Sequence, residues 1–89
     1  IRLVTWSLFF TGHAQKGAVK LASSGLKPRA KYLLAILESD PWETPPPYAK
    51  LVGDLARAYS RRISIQRRLV YQVLETEKSV NVLRLWARY

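Results

Sequence analysis

Cysteine is absent from this sequence, so neither a disulfide framework nor a cysteine-ligated zinc site can hold the chain together. That composition is compatible with a reducing, intracellular compartment. Histidine occurs once, at His13, which excludes chemistry that needs a histidine pair and any metal site built on two imidazoles. No metal and no other cofactor is expected. Long hydrophobic runs are missing too. The best apolar stretch, Leu3 to Phe10, is interrupted by Thr5 and Ser7, falls short of the about 20 residues a spanning helix needs, and carries no signal-peptide cleavage pattern. The cytoplasm is the expected location, with no membrane partner. Acidic residues are scarce, six against fifteen lysines and arginines, for a formal net charge of +9. A balance so far from neutral points to a polyanion or to an acidic protein that neutralises it.

The 89 residues are enough for one small domain, residues 1–89, with no room for a second. Ile1 to Phe10 is rich in Ile, Val, Trp, Phe and Leu without helical periodicity and stops at Thr11-Gly12, which predicts a first strand inside a sheet. Thr11 can cap a helix whose apolar residues Ala14, Ala18, Leu21 and Ala22 recur at helical spacing, with Lys16 and Lys20 outward; Ser23-Ser24-Gly25 ends it. A second helix has Pro28 in its first turn and Leu26, Ala30, Leu33, Leu34 and Leu37 on one face. The prolines from Asp40-Pro41 to Pro45-Pro46-Pro47 forbid helix and predict a stiff connector with polyproline character, a linker rather than a ligand for an SH3-type domain. Leu51 to Arg57 is read as irregular, with a turn at Gly53-Asp54.

The last third, Ala58 to Tyr89, carries seven of the fifteen basic residues on segments rich in β-branched and aromatic residues. Its breaks predict a strand to about Ile63, a second from Arg67 to Leu74 and a third from Val80 to Arg88, antiparallel because the connections are short. Both alternating sets of the middle strand are apolar, as in a strand covered on both faces. The fold class expected is α+β: an N-terminal strand and a two-helix hairpin packed on an antiparallel sheet with a C-terminal three-strand meander. The doublets Arg61-Arg62 and Arg67-Arg68 flank a tight connection and are expected to gather up to four guanidinium groups, an arrangement that phosphate would favour. The helical cations Lys16, Lys20, Lys27, Arg29 and Lys31 form a basic face suited to an RNA backbone.

The run YSRRI, then RLVYQV, then an aromatic-ended terminal strand resembles the Txe/YoeB group of the RelE superfamily, as do KLASSGLKP and DPWETPPPYAKLVGDL upstream. Members of that group are toxins of bacterial toxin-antitoxin pairs, ribosome-dependent endoribonucleases that cut messenger RNA. The resemblance implies a RelE-like fold, an acidic cognate antitoxin, and the ribosome with its messenger as targets; charged helices and a sheet edge also permit a homodimer. By the same resemblance Arg68 contacts the scissile phosphate, Arg62 points into the same cleft, and Tyr89 stacks at the messenger base. Arg61 and Arg67 add positive charge beside them.

Cleaving RNA through its own 2′-hydroxyl needs a group to take that proton, a group to protonate the leaving oxygen, and donors for the phosphorane charge. The third is abundant here. The family's glutamate base, however, corresponds to Ala49, its histidine acid beside the terminal tyrosine to Arg88, and a second histidine to Arg67. A guanidinium does not exchange protons near neutrality and an alanine cannot exchange one at all. The resemblance therefore implies an interferase whose cleavage is either attenuated or carried by charge stabilisation from Arg61, Arg62, Arg67, Arg68 and Arg88 with ribosomal positioning, as in branches of the superfamily whose sites are mostly basic. Two alternatives stand beside it: a catalytically inactive module that binds RNA and antitoxin, and a gyrase-poisoning toxin of the ParE branch.

Overall fold

The computed structural model describes residues 5–52 and 57–88. The expectations for residues 1–4, for the Gly53-Asp54 turn and for Tyr89 lie outside the described residues. Thr11 opens the first helix as expected. Its Oγ1 accepts a hydrogen bond from the Ala14 amide at 3.1 Å and donates to the Leu83 carbonyl at 2.8 Å, so one hydroxyl caps α1 (Gly12–Ser24) and ties it to the C-terminal strand. Gly25 ends α1 with φ 81°, a left-handed conformation that glycine adopts without steric cost. Pro28 stands in the first turn of α2 (Lys27–Ser39), where its missing amide hydrogen costs nothing.

The strands are β1 (Ser7–Phe10), β2 (Ala49–Lys50), β3 (Ala58–Arg62), β4 (Arg67–Leu74) and β5 (Ser79–Arg88). Among the described residues they form one sheet in the order β1-β5-β4-β3-β2. The β3-β4-β5 meander is antiparallel, as the short connections require. The first strand departs from expectation: β1 lies at the edge, parallel to β5, with Ser7 opposite Ser79 and Phe10 opposite Val82. Shelter there is partial: both helices touch β1 and half-bury Leu8, and Trp6 just before the strand is buried, its amide donating to the Glu38 carbonyl of α2 at 2.8 Å, while Phe10 is exposed. Phe9 stays more than half exposed.

Both helices pack on one face of the sheet, around Ala14, Leu21, Ala30, Leu33, Leu37, Leu69, Tyr71, Val80, Val82 and Leu85. Ala18 and Ala22, expected inward, are exposed; Gly17 and Ile36 take inward places instead. Gly17 is the contact point of α1 with the sheet, since a Cβ there would stand 3.1 Å from the Trp86 amide nitrogen and 3.3 Å from the Leu85 carbonyl carbon. The β4 segment Leu69-Val70-Tyr71 is buried throughout, which fits the double apolar pattern.

The proline-rich connector is not an extended polyproline rod. The Pro41, Glu43 and Pro46 carbonyls all converge on the guanidinium of Arg61, whereas a polyproline helix rising about 3.1 Å per residue would carry Pro41 and Pro46 roughly 15 Å apart. The connector is curled around that side chain.

Candidate nucleic-acid interface

Strand alternation decides which arginines share a face. Arg62 and Arg68 sit directly opposite each other across β3 and β4, and Ser60, two residues before Arg62, pairs with Ala49 of β2. These four therefore lie on one side of the sheet and line a cleft of about 570 Å³, within the range of about 300–1,000 Å³ usual for ligand sites. Arg29 from the first turn of α2 closes one side, and Tyr48 and Pro47 come from the end of the connector. The β3–β4 connection supplies Ile63, Ser64 and Ile65, the last 83% exposed at the rim. The cleft wall thus holds three guanidinium groups and several hydroxyls, and no carboxylate or imidazole is among its described lining residues. Such a surface can neutralise phosphate and donate hydrogen bonds to it, but its arginines do not take a proton near neutrality.

The expected cluster of four guanidinium groups is split. Arg61, read from sequence as an RNA contact, is 1% exposed on the opposite side, opposite Leu69. Its Nη2 donates to the Pro41 and Glu43 carbonyls, each at 2.9 Å, and its Nη1 donates to the Pro46 carbonyl. The guanidinium carbon stands 5.0 Å from the ring centre of Tyr48 and 6.0 Å from that of Tyr71. Every observation makes Arg61 an internal clamp and removes it from the RNA contacts. Burial pushes the Tyr71 phenol above its ordinary value of 10.0, with the Arg61 charge pulling the other way. Tyr71 in turn joins Tyr59, Tyr48 and Trp42 in a chain of ring contacts 5.1 to 6.1 Å apart, and the Trp42 indole donates to Glu75 at 2.8 Å.

Arg67 also leaves the cleft. Its guanidinium lies 4.2 Å from the ring centre of Trp86 and donates to the Trp86 carbonyl at 3.2 Å, half-buried on the helix side of the sheet. Arg88 is exposed opposite Arg67, one residue beyond Ala87, the partner of Arg68. Two register shifts between Arg68 and Tyr71 mark irregular pairing of β4 with β5 just there, the kind of local bend frequent beside functional sites. Of the helical cations, Arg29 reaches the cleft, Lys27 and Lys31 are exposed on α2, and Lys16 and Lys20 line a different hollow, over β5. Tyr48, Ser60, Ser64 and Ile65 were not singled out from sequence. For Ser60 the signal was present, since it shares the parity of Arg62 along one strand.

No family model and no curated protein matches this chain. Solved structures do. A YoeB/ParE toxin from Agrobacterium tumefaciens superposes with a TM-score of 0.82 at 21% identity, over 93% of this chain and 99% of that one. A YoeB–YefM complex from Staphylococcus aureus matches with a TM-score of 0.78 at 23% identity over the whole of both chains. The toxin-antitoxin complex RelBE2 from Mycobacterium tuberculosis matches with a TM-score of 0.72 at 25% identity, over 96% of this chain and all of that one. On its helices and strand order the chain carries the fold of these YoeB-like and RelBE toxin structures.

Proposed function

We propose that this chain is the toxin of a toxin-antitoxin pair that binds messenger RNA at the ribosome through the Arg62–Arg68 cleft, as an endoribonuclease of attenuated activity. The single observation carrying this reading is the cross-strand Arg62–Arg68 pair lining a concave surface with Arg29, where three guanidinium groups can grip one phosphate and its neighbours. The attenuation rests on Ala49, which lines the same cleft where the resembled family places a carboxylate base. Positioning by the ribosome and charge stabilisation of the phosphorane remain available, and they accelerate cleavage without a proton acceptor from the protein. An acidic antitoxin segment seated on the cleft would neutralise the same arginines and exclude RNA. The chain's net charge of +9 favours such a partner. The non-enzymatic alternative, an RNA- and antitoxin-binding module, draws on the same Ala49.

Primer extension on translated messenger tests the reading. Stops within codons at the ribosomal A site are expected with the protein, and Arg68→Ala is expected to remove them with the chain still folded; because Arg68 is partly buried, with its Nε shielded from solvent, a modest fall of the thermal midpoint should accompany the loss. Ribosome binding without stops would leave the binding module, and trapped gyrase–DNA complexes would favour the ParE-like branch.

A further inference from the structure

Between α1 and β5 lies a hollow of about 210 Å³ lined by His13, Lys16, Lys20, Arg84, Trp86 and Ala87, with Gly17 in its wall. Four of these are basic. His13, Lys16 and Lys20 are spaced three and four residues apart, so they share one face of α1, and Arg84 meets them from the strand. Like charges four apart on a helix repel, and no carboxylate is among the described residues lining the hollow.

Three features make the place more than a solvated basic face. Gly17 lets the α1 backbone touch β5 at Trp86, which brings Lys16 and Lys20 over the strand rather than out into solvent alone. The pairing of β1 with β5 ends at Val82, and the Leu83 carbonyl is taken by Thr11, so the hollow opens along the stretch of β5 beyond the last β1 partner. Trp86 forms an apolar wall whose ring carries Arg67 at 4.2 Å, adding a further cation nearby. A volume of about 210 Å³ lies below the usual range for whole small-molecule ligands and suits a single compact anionic group.

We propose that the hollow between α1 and β5 is a second phosphate-binding site, formed by Lys16, Lys20 and Arg84 with His13 at its mouth, and separate from the Arg62–Arg68 cleft. The phosphate is either a free or terminal one or a phosphodiester of a nucleic-acid strand; the chemistry recognised is the same. The site stands whether or not the cleft cleaves RNA.

The test uses the whole chain carrying Arg62→Gln and Arg68→Gln, so that the cleft no longer competes, and follows amide and indole resonances during titration with inorganic phosphate against chloride at matched ionic strength. Saturable shifts at Lys16, Gly17, Lys20 and the Trp86 indole are expected with phosphate only. In that background Lys16→Gln with Lys20→Gln, both exposed and tolerant of change, should weaken phosphate binding by about tenfold or more. A parallel titration with a short single-stranded oligonucleotide separates the sources: tighter binding at the same resonances assigns the site to a phosphodiester, and equal or weaker binding to a free or terminal phosphate. Shifts that chloride reproduces, or that survive loss of both lysines, would overturn the proposal.

Discussion

Arg61 and Arg62 are adjacent and chemically identical, yet one holds the fold and the other faces the cleft, because a strand sends successive side chains to opposite faces. Inside the protein a guanidinium is costly unless its donors are met, and here the curled connector supplies three carbonyls to Nη1 and Nη2, while the buried Nε finds no partner among the described residues. Arg61→Ala leaves those carbonyls without their donor and opens a cavity, so a loss of about 3–5 kcal/mol is expected by chemical denaturation, a large part of the whole stability of a domain this size. Arg61→Lys should recover little of it, since one ammonium cannot reproduce a planar fork reaching Pro41, Glu43 and Pro46 together. Tyr71 beside it gives a pH signature. Burial raises its folded-state value above 10.0, so above that pH the unfolded chain has lost a proton that the folded chain keeps. The folded form then binds more protons, and its stability must fall as pH rises from about 10 through the folded value. Tyr71→Phe should lack that component, so above about pH 10 the parent should lose stability relative to the variant; parallel stability-pH curves would show that the phenol's burial has no such consequence.

At the scale of elements, Gly17 decides how closely α1 can approach β5. A methyl group there meets backbone rather than a yielding side-chain end, at 3.1 Å from the Trp86 nitrogen, so Gly17→Ala should cost about 1 kcal/mol or more despite alanine's better helix propensity. Gly12→Ala in the same helix meets nothing within 4 Å and should be neutral or mildly stabilising by thermal denaturation. This contrast also explains what sequence could and could not disclose. The caps were legible because Thr11, Gly25 and Pro28 each answer a local backbone need, and β4 was legible from Arg67 to Leu74 because both its faces are apolar. Gly17 was not, since a search for hydrophobic periodicity passes over a residue with no side chain, and it misassigned the exposed Ala18 and Ala22. The two-residue β2 is too short to leave a pattern, although it carries Ala49 to the cleft. The edge position of β1 depends on which neighbour accepts it, a long-range choice that its own composition does not encode.

Across the whole molecule the positive charge is divided among places: the cleft with Arg29, Arg62 and Arg68, the hollow with Lys16, Lys20 and Arg84, and the end of the sheet with Arg67 opposite Arg88. The division bears on which substitutions could strengthen cleavage. Ala49 is exposed on β2 beside Ser60 and lines the cleft, so Ala49→Glu would place a carboxylate among the arginines that hold phosphate. Those arginines would lower its proton affinity and make it a weaker base than a solvated glutamate, yet positioned proton transfer typically contributes about 10² to 10⁴ in rate, so a clear gain in ribosome-dependent cleavage is expected. Arg88→His should add less. Arg88 follows Ala87, the partner of Arg68, and by alternation points away from the face that Arg62 and Arg68 share; an imidazole there also sits opposite Arg67, whose charge disfavours the protonated form that an acid requires. Assayed at one salt concentration, the four combinations should rank with both Ala49→Glu variants above the parent and Arg88→His alone close to it. A single Arg88→His variant as active as Ala49→Glu would show that the end of β5 reaches the phosphate, and a parent already as fast as the double variant would show that arginine charge and ribosomal positioning suffice.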